Sequence, residues 1–171
     1  MPNVRAETKA WFKGRLPKDW FVGEPEITAD REEVLIAGEL KPVALEPGAS
    51  EQAVQASREG LIKRFREETR DARMEIADEV EQTWRRKLSW GVSAGGETHL
   101  FTHLSIPVMT RLRLQERLTL DTLVDAGVAR TRSDALAWCV RLVAKNQEKW
   151  LGDLRKAFED VERVRRDGPG A

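Results

Sequence analysis

The chain has 171 residues, of which 34% are charged and 40% apolar, with 29 basic and 29 acidic side chains. The single cysteine, Cys139, excludes an intrachain disulfide and a cysteine-based zinc cluster. No run approaches the ~20 apolar residues of a membrane span, and the opening Met1–Phe12 has no signal-peptide apolar core. The expected location is therefore the cytoplasm, with no membrane partner.

In chain order, Val4–Gly14 predicts a short helix with Trp11 and Phe12 on its apolar side, ended by Leu16-Pro17. Two strand-like runs follow, Trp20–Thr28 and Glu33–Gly38, with Asp30 and Arg31 supplying turn chemistry between them. Lys41–Ser50, with Pro42 and Pro47, reads as a linker. From Glu51 to Ser89, apolar or small residues recur in steps of three and four through Phe65, Ile76, Val80 and Trp84, which predicts one long charged helix. Gly60 is its weak point. Trp90–Gly96, with Gly91, Gly95 and Gly96, reads as a hinge. It lacks the lysine of a phosphate loop and the spacing of a dinucleotide fingerprint.

Thr98–Ile106 alternates as a strand, and a helix opened by Pro107 is expected over Thr110–Ala126. Glu116 interrupts the apolar stripe of that helix. Gly127 turns the chain, and a second helix starts at Arg132. Its stripe continues through Leu136, Val140, Val143, Trp150, Leu154 and Val161. Only Gln147 interrupts it, so one helix to about Arg165 and two helices broken near Asn146 are both open. The tail from Asp167 is expected to be disordered. Whole-chain charge is balanced, but Thr98–Lys145 carries seven cations and four anions, whereas Met1–Ser50 carries seven and nine. The basic excess sits on the strand-helix-turn-helix block.

That block holds an alternating strand, a proline, an amphipathic helix, a glycine turn, and Thr131-Arg132-Ser133-Asp134-Ala135-Leu136 opening a second helix. Over about 49 residues it resembles the ribbon-helix-helix superfamily of Arc- and MetJ-like repressors. The resemblance implies a homodimer in which two strands pair as an antiparallel ribbon in the major groove of double-stranded DNA. It implies that His99, Phe101, His103 and Ser105 face the bases, while Arg130, Thr131, Arg132 and Ser133 clamp phosphates at the start of the second helix. The ribbon departs from the family by offering neither arginine nor lysine.

The expected fold is thus α+β and mainly helical. It comprises an N-terminal helix and β-hairpin module (1–50), a long charged helix with a Gly-rich hinge (51–97), and a ribbon-helix-helix dimerisation unit with an extended C-terminal helix (98–166). The expected function is that of a DNA-binding transcriptional regulator. The alternative is an antitoxin-like or scaffold module that uses the unit mainly to dimerise. A protein partner or small effector would act through residues 1–89. A helix-turn-helix reading is weaker, because Asp134, Ala135, Trp138 and Arg141 make a poor base-reading face. His99 and His103, the only histidines, lack further metal ligands. No constellation supports nucleophilic catalysis, and no cofactor is implied. Trp11, Trp20, Trp84 and Trp90 are expected to be aromatic core rather than a ligand pocket.

Overall fold

The structure, a computed structural model, describes residues 6–167. The expected tail beyond Asp167 lies outside the described residues. The fold is α+β, with helices predominating. Two compact units meet in sequence at Ile106 and Pro107.

The first unit is built around one four-stranded sheet. Helix α1 (Ala6–Arg15) precedes the antiparallel strands β1 (Glu26–Ala29) and β2 (Glu33–Glu39). Asp30 shapes their turn, its Oδ1 accepting from the backbone N–H groups of Glu32 (2.9 Å) and Glu33 (2.7 Å). The chain then leaves the sheet through α2 (Glu51–Glu68) and α3 (Arg70–Trp84), and returns as β3 (Lys87–Ala94), parallel to β2. Strand β4 (Glu97–Leu100) closes a hairpin on β3, giving the order β1-β2-β3-β4.

Three expectations are corrected here. The long helix ends at Trp84, not Ser89, where Arg85 adopts the left-handed conformation (φ 56°) and turns the chain toward the sheet. The helix is also divided at Thr69. There the Thr69 hydroxyl donates to the Phe65 carbonyl (2.6 Å), and Arg73 donates to Thr69 Oγ1 (2.9 Å) and the Arg66 carbonyl (2.8 Å). The buried Arg73 guanidinium thus closes the carbonyl end of α2, where cations are favoured. Burial pushes its pKa down, and the neighbouring Arg66 and Arg70 push it further.

The third correction concerns the Gly-rich hinge, which is strand β3 and a tight turn. Gly95 (φ 64°) and Gly96 (φ 86°) form a two-residue hairpin connection that needs positive φ at both positions. Gly91 sits in a close approach: a methyl group there would push the Leu100 side-chain tip (Cδ2, 2.7 Å) and crowd the His99 carbonyl oxygen (3.3 Å). Register places Val34 beside Leu88 and Ile36 beside Trp90, so these side chains share one sheet face. With Phe12, Ile76 and Val80 they form the buried core. A neighbouring cluster of Leu40, Phe65 and Val92 extends it. The four tryptophans of this unit are aromatic core as expected, with Trp90 buried in it and Trp11, Trp20 and Trp84 packed against it: Trp11 meets Trp84 edge-on at 5.0 Å, and Trp20 meets Trp90 at 5.7 Å.

The second unit is a helical hairpin with a continuation. Helix α4 runs over Leu114–Asp125, α5 over Arg132–Asn146 and α6 over Glu148–Arg166. The break at Gln147 settles the choice between one helix and two. The core of the unit is thin: Leu120, Ala129 and Ala135, with Leu112, Leu123, Val124, Leu136 and Cys139 packed around them. No helix among the described residues is long and apolar enough to cross a membrane.

Candidate nucleic-acid interface

The boundaries of α4 change the site. The helix begins at Leu114 rather than Thr110, and Pro107 does not open it. Glu116, a flaw in the stripe of a longer helix, is instead the third residue of this one. Its carboxylate accepts from the Arg113 backbone N–H at 2.5 Å, half of a capping box. Arg113 itself is extended (φ −79°, ψ 171°). Between Phe101 and Arg113 the chain forms neither helix nor strand.

The expected strand Thr98–Ile106 is therefore a correction as well. Its first three residues are spent in the β3–β4 hairpin, with His99 opposite Val92, and the remainder is not strand. The four residues expected to face bases have separate surroundings. His99 is partly exposed, 3.9 Å from Glu97. Phe101 is half-buried: its ring lies 6.3 Å from that of Phe65, with the Arg73 guanidinium 5.0 Å and the Arg66 guanidinium 5.7 Å from its centroid. Its backbone N–H donates to the Trp90 carbonyl at 2.7 Å. His103 and Ser105 are exposed outside any element. These four do not share one strand face.

The segment that does precede the helical hairpin is Pro107-Val108-Met109-Thr110-Arg111-Leu112-Arg113. Leu112 is half-buried and packs against the Leu120–Ala129–Ala135 core, while Arg117 Nη1 donates to its carbonyl at 2.6 Å. Arg111 and Arg113, on either side of it, are exposed. Val108 and Met109 are 86% and 99% exposed. Pro107 read as a helix opener hides this segment in the sequence. The alternation Val108, Thr110, Leu112 against Met109, Arg111, Arg113 was the available signal.

At the start of α5 the residues expected to clamp phosphate lie together. Thr131 is the N-cap, its hydroxyl accepting from the Asp134 N–H at 3.2 Å. Asp134 in turn accepts from the Arg130 N–H at 3.1 Å. Arg130, Thr131, Arg132 and Ser133 are all exposed. Arg132 is already engaged: its Nε and Nη2 each donate to the Asp121 carboxylate at 2.6 Å. That hydrogen-bonded partner holds Asp121 below the usual carboxylate range and raises Arg132. The helix start therefore sets the exposed Arg130, to which no salt bridge is made among the described residues, beside the Thr131 cap, with Arg132 neutralised locally by Asp121.

In the first unit, a cavity of about 560 Å³ is walled by Phe12, Leu16, Phe21 and Ile27 together with Lys9 and Lys18, and Lys13 pairs with Glu24 in its lining. No group of side chains that could hold a metal ion occurs among the described residues.

Comparison with known proteins divides the chain at the same place. Residues 6–100 match the model of the Rv1265-like protein N-terminal domain, and residues 113–165 match that of the Mb1296 C-terminal domain. One match falls in each unit, and Phe101–Leu112 lies between them. The chain is 55% identical over 159 residues to an uncharacterized protein, Rv1265, of Mycobacterium tuberculosis (strain H37Rv). The same identity holds for the uncharacterized protein Mb1296 of Mycobacterium bovis. Each alignment covers 93% of this chain and 69% of the relative. No solved structure matches.

Proposed function

This chain belongs to the Rv1265-like family, and we propose that it acts as a homodimeric DNA-binding protein of the ribbon-helix-helix kind, a transcriptional regulator. The observation that carries this reading is the exposed Pro107–Arg113 segment leading into a helix, glycine turn and capped helix. Leu112 is tucked into the core, and Arg111 and Arg113 are left outside. Two such segments pairing antiparallel would satisfy each other's backbone groups and set Val108, Thr110 and Leu112 on one face of the ribbon. The ribbon is thus assigned to 107–113, not 98–106.

Thin packing supports the dimer. A unit whose buried apolar residues are Leu120, Ala129 and Ala135 leaves Leu114, Leu118, Val140 and Val143 exposed. Exposed apolar side chains beside so small a core are what a second copy would cover. In the ribbon, Met109, Arg111 and Arg113 would face the major groove, where arginine pairs with guanine O6 and N7 and apolar side chains meet thymine methyls. The departure noted for the 98–106 ribbon, its lack of cations, disappears with this placement. Arg130, Thr131 and Ser133 flank the ribbon as phosphate contacts. Arg132 orders the turn through Asp121.

Mobility shift on mixed duplexes at about 50 and 200 mM salt tests the proposal. Binding is expected to weaken steeply with salt. Arg111→Ala is expected to cost about 1–3 kcal/mol on a selected site and to relax sequence preference there, whereas Arg130→Ala weakens all sequences alike. A dimer that binds no duplex at the lower salt overturns the regulator reading and leaves the scaffold alternative.

A further inference from the structure

We propose that α6 pairs in parallel with α6 of a second copy, as a short two-stranded coiled coil. The proposal deepens the homodimer reading above by giving the dimer a second seam, remote in sequence from the ribbon. It begins from spacing. Gln147, Trp150, Leu154, Ala157, Val161 and Val164 are separated by strictly alternating steps of three and four residues, the heptad signature of a seam between two helices. Leu151 and Phe158 widen the stripe on one side. Every position of α6 outside the stripe and its two flanking rows is charged, apart from Gly152.

Within one protomer this stripe has almost no cover. Trp150 is 56% exposed, Phe158 55%, Val161 54% and Val164 67%. The break at Gln147 (φ −118°, ψ 27°) separates α6 from α5, so the stripe is not simply the outer turn of a packed helix. A helix with this much apolar surface on one side needs a partner with a matching stripe.

Charge selects both the partner and its direction. One row beside the seam carries Asp153, Asp160 and Asp167, and the opposite row carries Leu151, Phe158 and Arg165. In a parallel pair, each residue of the first row faces the residue five positions ahead in the second row of the other helix. Asp160 then meets Arg165 of the second copy, twice by symmetry, and Asp153 lies beside Phe158. Asp160 uses Oδ1 on Arg163 of its own helix at 2.9 Å, which leaves Oδ2 for that contact. An antiparallel pair would instead bring the two acidic rows together, Asp153 against Asp160. The helix is self-complementary in one orientation and self-repelling in the other. Its 19 residues span about 28 Å, fewer than three heptads. The coil therefore depends on the tether to the rest of the dimer, which raises the local concentration of the second helix.

Cysteine cross-linking of the full chain in a Cys139→Ser background tests the inference. Val161→Cys places two thiols in the same seam layer of a parallel coil, so mild oxidation is expected to give a disulfide-linked dimer. Lys156→Cys, on the outer face, is expected to stay largely uncross-linked. Asp160→Arg is expected to weaken the dimer several-fold in sedimentation equilibrium, and Asp160→Arg/Arg165→Asp to restore it. Equal cross-linking at 156 and 161, none at either, or a double charge exchange that dimerises no better than the single change overturns the coil. A dimer that persists and binds DNA without the 161 cross-link removes the coil alone. A chain that is monomeric throughout removes both the coil and the homodimer reading beneath it.

Discussion

Gly38→Ala and Gly60→Ala add the same methyl group to the same unit and are expected to move its stability in opposite directions. Gly38 lies in β2, where a Cβ would overlap Cγ and Cδ1 of the Phe21 ring. Those atoms are the root of the ring, not the tip of a flexible side chain, so the whole ring must shift. Phe21 packs against Trp20 at 6.2 Å and Phe65 at 5.6 Å, and displacing it loosens that contact. Overpacking of this kind costs about 1–3 kcal/mol. Gly60 lies inside α2, and a Cβ there meets nothing within 4 Å. Replacing a helical glycine with alanine stabilises by about 0.5–1 kcal/mol. For a unit of roughly a hundred residues, 1 kcal/mol corresponds to about 4–8 °C in Tm. Gly38→Ala should therefore lower Tm by about 4 °C or more, and Gly60→Ala should raise it by a few degrees. Thermal melts followed by tryptophan fluorescence are the assay, since Trp11, Trp20, Trp84 and Trp90 all report on this unit. Phe21→Leu combined with Gly38→Ala should cost less than the sum of the single changes, because the two sites share one contact. A Gly38→Ala variant as stable as the parent, or strict additivity in the double variant, would refute the packing of Phe21 over β2.

Two further predictions concern charge. Glu79 receives hydrogen bonds from Arg15 Nε (2.9 Å) and Nη2 (2.6 Å), which hold its carboxyl below the usual carboxylate range. A carboxylate depressed in the folded state stabilises above its ordinary pKa, and the contribution fades as pH falls through the depressed value. Melts from about pH 5 to pH 2 should show a shallower acid decline in Glu79→Gln than in the parent, by a small margin because the pair is partly exposed. At the other end of the chain, Asp121→Asn releases Arg132 beside the α5 start. If that turn meets phosphate, the salt dependence of DNA binding should steepen by about one unit of slope per protomer. An unchanged slope would separate the turn from the DNA.

The first unit was legible where a pattern was local. The hairpin turn at Asp30 and the second strand were readable from alternation and turn chemistry, as was a helix through Ile76 and Val80. The parallel return was not. β3 is buried on nearly every position, so it shows no alternation, and its Trp90-Gly91-Val92 core reads as a hinge when glycine alone is weighed. Gly95-Gly96, between the apolar Leu88–Ala94 run and the alternating Thr98–Ile106 run, was a hairpin signal of the ordinary kind. The division at Thr69 depends on Arg73 reaching back to Thr69 and the Arg66 carbonyl, side-chain contacts that the apolar periodicity of the segment does not register. In the second unit, the glycine turn and the Thr131 cap were legible because capping is local chemistry. The start of α4 was misplaced by one short segment, and that shift carried the candidate ribbon with it. With Glu116 as a capping residue, Arg111 and Arg113 lie exposed ahead of the helix, and the proposed ribbon uses them where the sequence alone points to His99, Phe101, His103 and Ser105.

Hydrogen exchange at the backbone amides of Val108–Arg113, followed across protein concentration, tests most directly whether two copies join through this segment. Protection that grows with concentration and deepens when duplex DNA is added is the expected result. Exchange at the rate of a free chain at every concentration, with or without DNA, would contradict it.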